Sequence, residues 1–527
     1  MRGDLEWGTI PGLLDSAAER FGPREAVVDG DTRISFEHLR VAARHAARAA
    51  VAMGVEAGDR VAIWAPNINE WIVAALGALT AGGVLVPINT RFKGREAGFV
   101  LQKSRARLLF TVRGFLDIDY PKLLKDAEVD TRGIDVVLLR GEAERDETDW
   151  RTFAKHGEEI EESILDKRTG EPDDLSDIIF TSGTTGQPKG VMTTHAQSLR
   201  VFEVWSDIVG LREGDRYLIV NPFFHTFGYK AGILACLMRG ATIVPHAVFD
   251  AGQVMRRIGE EKITVLPGPP TLYQSILNDS ARASLDLSSL RLAVTGAAVV
   301  PVELIRRMRD ELTFETTLTA YGLTESTGTA TMCRPDDDAE TIANTSGCAI
   351  PDTEVRVVDD RGKEVARGEP GEIVVTGYNV TQGYFEEPEQ TAATIKDGWL
   401  HTGDIGVMDA RGYVKITDRK KDMFIVGGFN VYPAEIENDL LRHEDIAQAA
   451  VVGAPDERLG EVGVAFVVPK PNRSLDPNLI ISWAKSQLAN FKVPRHVSIV
   501  EVLPMNASGK VLKYELRERA RKLMEEG

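Results

Sequence analysis

The stretch Phe180-Thr-Ser-Gly-Thr-Thr-Gly-Gln-Pro-Lys189-Gly190 decides how the rest of this 527-residue chain is read. Ser176 to Phe180, just before the loop, reads as a short apolar strand. Beyond the loop, Leu199, Phe202, Trp205 and Val209 recur at helical spacing. A strand that runs into a Gly/Ser/Thr loop turns backbone N–H groups and hydroxyls toward one point. The glycines remove the Cβ atoms that would hold a ligand away. Such a nest suits phosphate oxygens, and Lys189 adds a mobile cation. It is not a Walker A sequence, which needs Gly-Lys followed by Ser or Thr, whereas Lys189 lies between Pro188 and Gly190. The plain alternative is a flexible surface loop.

The length exceeds what one core holds, so at least two domains are expected. Apolar residues make up 43% and charged residues 27%, the balance of a soluble globular protein. Three cysteines, Cys236, Cys333 and Cys348, suggest neither a disulfide framework nor a Cys-based metal site. The start has no signal-peptide shape, so a cytoplasmic location is expected. The net charge of −17 argues against a nucleic-acid partner, which needs basic surface. It would also repel ATP and CoA, so a nucleotide site must overcome the overall field locally, with a few cations and backbone dipoles.

Trp71 to Ile88 is the nearest approach to a membrane segment. It reads better as a helix ended by Gly82-Gly83 and followed by a strand, so no membrane span is expected. Asn67 and Glu70 suggest a capping box for that helix. With the strand Arg60 to Trp64 this makes a β-α-β unit and points to a parallel sheet. Leu108 to Val112 and Asp135 to Leu139 read as buried strands, and residues 142–173 as a charged surface excursion. Val355 to Val358, Gly371 to Thr376 and Gly412 to Ile416 alternate as antiparallel strands do. The last hundred or so residues read as α+β.

Thr181 to Gly190 closely resembles the phosphate loop of the acyl-adenylate-forming enzymes, a superfamily that includes acyl-CoA synthetases, peptide-synthetase adenylation domains and beetle luciferases. The resemblance runs over nearly the whole chain. It implies an α/β fold: a large N-terminal domain, 1–418, of two α/β subdomains plus a small distorted β-barrel. A hinge at 419–422 and a mobile α+β C-terminal domain, 423–527, would follow. It also implies ATP, Mg²⁺ and CoA, with a small carboxylic acid as substrate. The oligomeric state stays open, a homodimer included.

Residue by residue, the match places Thr181, Ser182, Gly183, Thr184, Thr185, Gly186 and Lys189 on ATP phosphates. Tyr321-Gly322-Leu-Thr324-Glu325 matches the segment in which Glu325 holds Mg²⁺, Thr324 contacts phosphate and Tyr321 stacks on adenine. A carboxylate there suits Mg²⁺, which takes one or two protein oxygens and fills the rest with phosphates and water. Gly296, Ala297 and Ala298 would lie against adenine and the acyl group, although alone they read as a tight turn behind a strand. Thr402-Gly403-Asp404 puts an acid after a turn, and the match assigns Asp404 to the ribose hydroxyls. Arg419 would touch ribose or α-phosphate and Lys421 would be the hinge pivot, where the plain reading is a charged linker. Gly427-Gly428 would line the pantetheine tunnel. Ser508-Gly509-Lys510 matches the adenylation lysine, with Lys513 the weaker candidate for that role. His225, after Asn221-Pro222-Phe-Phe, resembles the residue that shapes the acyl pocket and its access. It is grouped with Lys510, Thr324 and Glu325 at the catalytic centre without an acid–base role, and a lone His among aromatics is otherwise more often packed core.

The implied reaction is adenylation of a carboxylate followed by transfer to CoA. Asn221 to Phe249, Thr264 to Ser275 and Ala293 to Pro335 look most like the acyl-CoA synthetase subfamily that activates the hexahydroindanedione propanoate left by steroid A/B-ring degradation. The alternatives are a medium-chain, long-chain or aromatic acid, or an adenylating enzyme that loads a carrier protein.

Overall fold

The computed structural model describes residues 2–526 apart from 169, 182–187, 297–299, 360, 420–423, 432, 505–510 and 512. For 417–419, 430, 434, 514 and 526 only the backbone is described.

The β-α-β unit forms as its pattern predicts. Arg60–Trp64 and Val84–Pro87 pair in parallel, Ala62 opposite Val86, with the helix Asn69–Thr80 between them. That helix is buried almost all round, which explains its membrane-like composition. No described helix is long and apolar enough to cross a membrane. The proposed capping box is not there. Ile68 occupies the cap, Asn67 donates to the carbonyls of Ile219 and Asn221 and accepts from Phe223 N–H, and Glu70 pairs with Arg140. A buried amide found three backbone partners across the domain, and these outweigh a local cap.

This unit belongs to a nine-stranded sheet that runs from Gly383–Tyr384 through Lys189–Thr194, Leu175–Thr181, Val84–Pro87, Arg60–Trp64 and Ala106–Phe115 to Asp135–Arg140 and Thr148–Asp149. Residues 142–173 are more structured than their charge suggested. The helix Trp150–His156 buries Phe153, and a following 3₁₀ turn buries Leu165. A second sheet joins Thr316–Tyr321 and Leu292–Thr295, through Val265, to Arg216–Ile219, Thr242–Pro245 and Glu25–Asp29. The two sheets are the two α/β subdomains.

The alternating strands predicted around 355–416 form a five-stranded antiparallel sheet with its own apolar core around Val357, Ile373, Val375 and Leu400. The C-terminal part is a further five-stranded sheet, built on the long hairpin Ile446–Asp456 and Gly460–Pro469, with the helices Pro433–Leu440, Pro477–Gln487 and Lys513–Glu526.

Candidate active site

The phosphate loop is the connection of a hairpin. Leu175–Thr181 and Lys189–Thr194 pair antiparallel with Thr181 opposite Lys189, so both ends of the loop are pinned side by side. Thr194 then caps the helix His195–Ile208 in a capping box with Gln197. Ser182, Gly183, Thr184, Thr185 and Gly186 lie outside the described residues. Lys189 Nζ donates to Gln390 Oε1 at 2.8 Å and stands 5.0 Å from the centre of the Tyr384 ring.

Tyr384 reaches the opposite way as well. Its strand pairs with the hairpin, Val191 opposite Tyr384, and its hydroxyl donates to Glu325 Oε1 at 2.9 Å. One tyrosine therefore ties the loop lysine to the carboxylate assigned to Mg²⁺. Thr324 and Glu325 sit on a 3₁₀ turn that ends in Thr327, a β-branched residue at φ 53°. That left-handed conformation is costly for threonine. It is held in part by the Thr327 hydroxyl, which donates to the Asn379 carbonyl at 2.8 Å. Gly322 is required by space: a Cβ there would meet the carbonyl oxygen of Gly328 at 2.4 Å.

Asp404 does not follow a turn. It lies within the strand Trp399–Met408, is 2% exposed, and accepts from the Tyr321 hydroxyl at 2.6 Å. The two residues assigned to adenine and ribose are thus in contact. On the next strand Arg419 is the backbone partner of Asp404, which places it beside the same site. Gly296 backs onto the carbonyl of Ala320, while Ala297 and Ala298 lie outside the described residues.

His225 precedes a π-helical segment, Phe227–Leu234, an uncommon geometry that is frequent at functional sites. Its surface is exposed, yet the surrounding protein depresses its imidazole below the ordinary value. Phe227 N–H donates to Nδ1 at 3.2 Å, which leaves Nε2 to carry the proton of the neutral ring. In the next turn Lys230 makes an ion pair with Asp177 at 2.9 Å, both 0% exposed. This pair ties the strand entering the phosphate loop to the segment bearing His225.

Gly427 and Gly428 are the two central residues of a tight hairpin, at φ 55° and 84°, a turn whose left-handed residues favour glycine. The turn reaches the large domain: a Cβ on Gly428 would lie 3.9 Å from Pro269. Beside it, Arg91 stacks on Phe429 at 4.2 Å, and burial lowers its guanidinium below the usual value. Lys421 and Lys510 lie outside the described residues. Lys513 is engaged with Glu437 at 2.7 Å.

Three contributors escaped the sequence reading: Tyr384, Gln390 and Arg91. Tyr384 had a faint signal, a tyrosine beside a glycine just past a β run. The others had none, because each is defined by a partner far along the chain.

Two family models match, the AMP-binding enzyme over residues 14–385 and the AMP-binding enzyme C-terminal domain over residues 435–510. The chain is 50% identical over 518 residues to a 3-(7a-methyl-1,5-dioxo-octahydroindenyl)propanoyl:CoA ligase of Rhodococcus jostii, covering 97% of this chain and 98% of that one. It is 48% identical to the ligase of the same name from Mycobacterium tuberculosis, with the same coverage. A solved structure of an o-succinylbenzoate CoA synthetase double mutant from Bacillus subtilis, bound to its product analogue, superposes with a TM-score of 0.81 at 28% identity, covering 96% of this chain and 98% of that one. With both models matched in order and relatives of half identity aligned end to end, this chain belongs to the AMP-binding enzymes and, within them, to the acyl-CoA synthetases.

Proposed function

We propose that this enzyme activates a bicyclic propanoate bearing two ring ketones, the kind of acid for which the Rhodococcus and Mycobacterium relatives are named, at the cleft between Lys189, Glu325 and Asp404. The observation that carries the reaction is the contact set around one centre. Tyr384 joins Lys189 to Glu325, and Tyr321, four residues before Glu325, holds Asp404. The identity of 50% over 97% of the chain supports the acid.

A carboxylate is a poor acyl donor because oxide leaves badly. Its oxygen attacks the α-phosphorus of ATP, the bond to pyrophosphate breaks, and a mixed anhydride forms. The thiol of CoA then attacks the acyl carbon and AMP departs. The first step brings an anion to a polyanion, so positioning and charge do most of the catalysis. Lys189, the loop amides and Lys510 supply positive charge at the phosphates. Thr324 contacts phosphate, Tyr321 faces adenine, and Asp404 with Arg419 holds the ribose. Glu325 would hold Mg²⁺. Its carboxylate suits an ion that takes one or two protein oxygens and phosphate for the rest. When bound, Mg²⁺ would neutralise phosphate charge.

In the second step the Gly427-Gly428 turn borders the thiol arm, and Arg91 offers a cation beside it for the phosphates of CoA. Lys510 and this turn serve different half-reactions, so the C-terminal domain, 423–527, swings against 1–418 about 419–422 with Lys421 as pivot. The proposed location is the cytoplasm. With a net charge of −17, nucleic acid has no part in the proposal.

A mass-spectrometric assay with ATP, Mg²⁺ and CoA tests it against the dione propanoate, fatty acids of graded length and benzoates. AMP with the dione acyl-CoA as dominant product is expected. Preference for a fatty or aromatic acid overturns the substrate. Acyl-adenylate without acyl-CoA moves the acceptor to a carrier protein.

A further inference from the structure

We infer that Lys492 and Glu96 form a clamp that positions the C-terminal domain for thioester formation. Lys492 lies between the helix Pro477–Gln487 and the strand His496–Ile499, and its side chain is 2% exposed. Its ammonium pairs with two carboxylates. Glu435, at the start of the helix Pro433–Leu440 in the same domain, is at 2.6 Å, and Glu96, on the helix Gly94–Ser104 of the large domain, is at 2.8 Å. Phe92 of the large domain lies 4.5 Å beneath the same ammonium. The lysine is therefore enclosed by both domains at once.

Glu96 is set for this task before the lysine arrives. Its Oε2 accepts the N–H of Lys93 at 2.9 Å, which caps its own helix, and leaves Oε1 to the ammonium. Glu435 stays with Lys492 whatever the domain does, since both belong to the same domain. Glu96 does not, so the contact across the boundary exists only while the domain sits as it does here. This is the arrangement in which the Gly427-Gly428 turn faces Pro269. Charge burial by itself opposes closure, and the attraction of Glu96 for the ammonium works against that cost, less its repulsion of Glu435. A tenfold change in the closed population needs only about 1.4 kcal/mol, less than one well-made buried ion pair can carry.

The inference rests on the domain swing proposed above. The two half-reactions are measured separately in the full-length enzyme: pyrophosphate release with ATP and acid, and acyl-CoA from supplied acyl-adenylate and CoA. Glu96→Gln keeps the cap, because glutamine also serves that position. It is expected to lower the second rate about tenfold and leave the first unchanged. Glu96→Lys, which sets two ammonium groups together, is expected to lower the second rate about a hundredfold. Equal loss in both half-reactions, or loss in neither, overturns the clamp. Lys510→Ala in parallel tests the swing itself: if it fails to separate the half-reactions, the domain movement is wrong, whereas a clean separation with unaffected Glu96 variants removes only the clamp.

Discussion

The hydroxyl of Tyr321 donates to Oδ2 of Asp404 at 2.6 Å, across the seam between the second parallel sheet and the antiparallel one. Tyr321 belongs at once to the end of a parallel strand and to the apolar core beneath Asp404. The residues proposed for adenine and ribose are thereby joined by one hydrogen bond. Tyr321→Phe keeps the ring and removes the donor, leaving a buried carboxylate short of a partner. The KM for ATP is expected to rise about tenfold, near 1.4 kcal/mol, with the KM for CoA unchanged in steady-state kinetics.

In the proposed reaction, Lys510→Ala would remove a cation from the phosphates undergoing substitution. Loss of one such contact costs on the order of 3 kcal/mol, or at least a hundredfold in rate. Pyrophosphate release should fall by that factor, while conversion of supplied acyl-adenylate to acyl-CoA should persist. Parallel loss of both would remove Lys510 from the first step.

His195 gives the fold an acid limit. It is buried, its Nδ1 accepts the N–H of Ile10 at 3.2 Å, and burial, with Lys230 nearby, pushes its pKa down to about 4 against a weaker pull from Asp174. The folded value lies below the unfolded one, so the unfolded chain binds the extra proton first as pH falls. Stability is full above about pH 6.5 and declines toward pH 4, by on the order of 3 kcal/mol. Urea midpoints across that range should show the slope, and His195→Asn, which retains an acceptor, should flatten it.

Lys230→Met leaves Asp177 charged and enclosed in the core. Removing one member of a buried pair costs about 3–5 kcal/mol, read as a lower urea midpoint at pH 7. Joint replacement of Lys230 by Met and Asp177 by Leu should recover much of that loss, because no unpaired charge then remains.

The strands that flank the Gly/Ser/Thr loop, the β-α-β unit and the antiparallel sheet were legible because each is a local pattern of apolar residues at a helical or strand period. Glu325 and Asp404 could be singled out because they sit inside short motifs. The partners that organise them could not. Tyr384 lies 59 residues from Glu325, Lys230 comes to Asp177 through the packing of a π-helix, and Lys492 meets Glu96 across 396 residues. Such pairs leave no periodicity behind. The misplaced capping box at Asn67 has the same origin, since a short polar side chain reads as a cap until a buried carbonyl elsewhere claims it.

The pair between Lys492 and Glu96 also has a thermal sign. Taking two ions out of water becomes less costly on warming, because the hydration of charged groups carries a strongly unfavourable entropy. A contact that is dry when made and wet when broken is therefore strengthened by heat. With the domain swing proposed above, warming would favour the arrangement in which the Gly427-Gly428 turn faces Pro269, and cooling the one that parts Lys492 from Glu96.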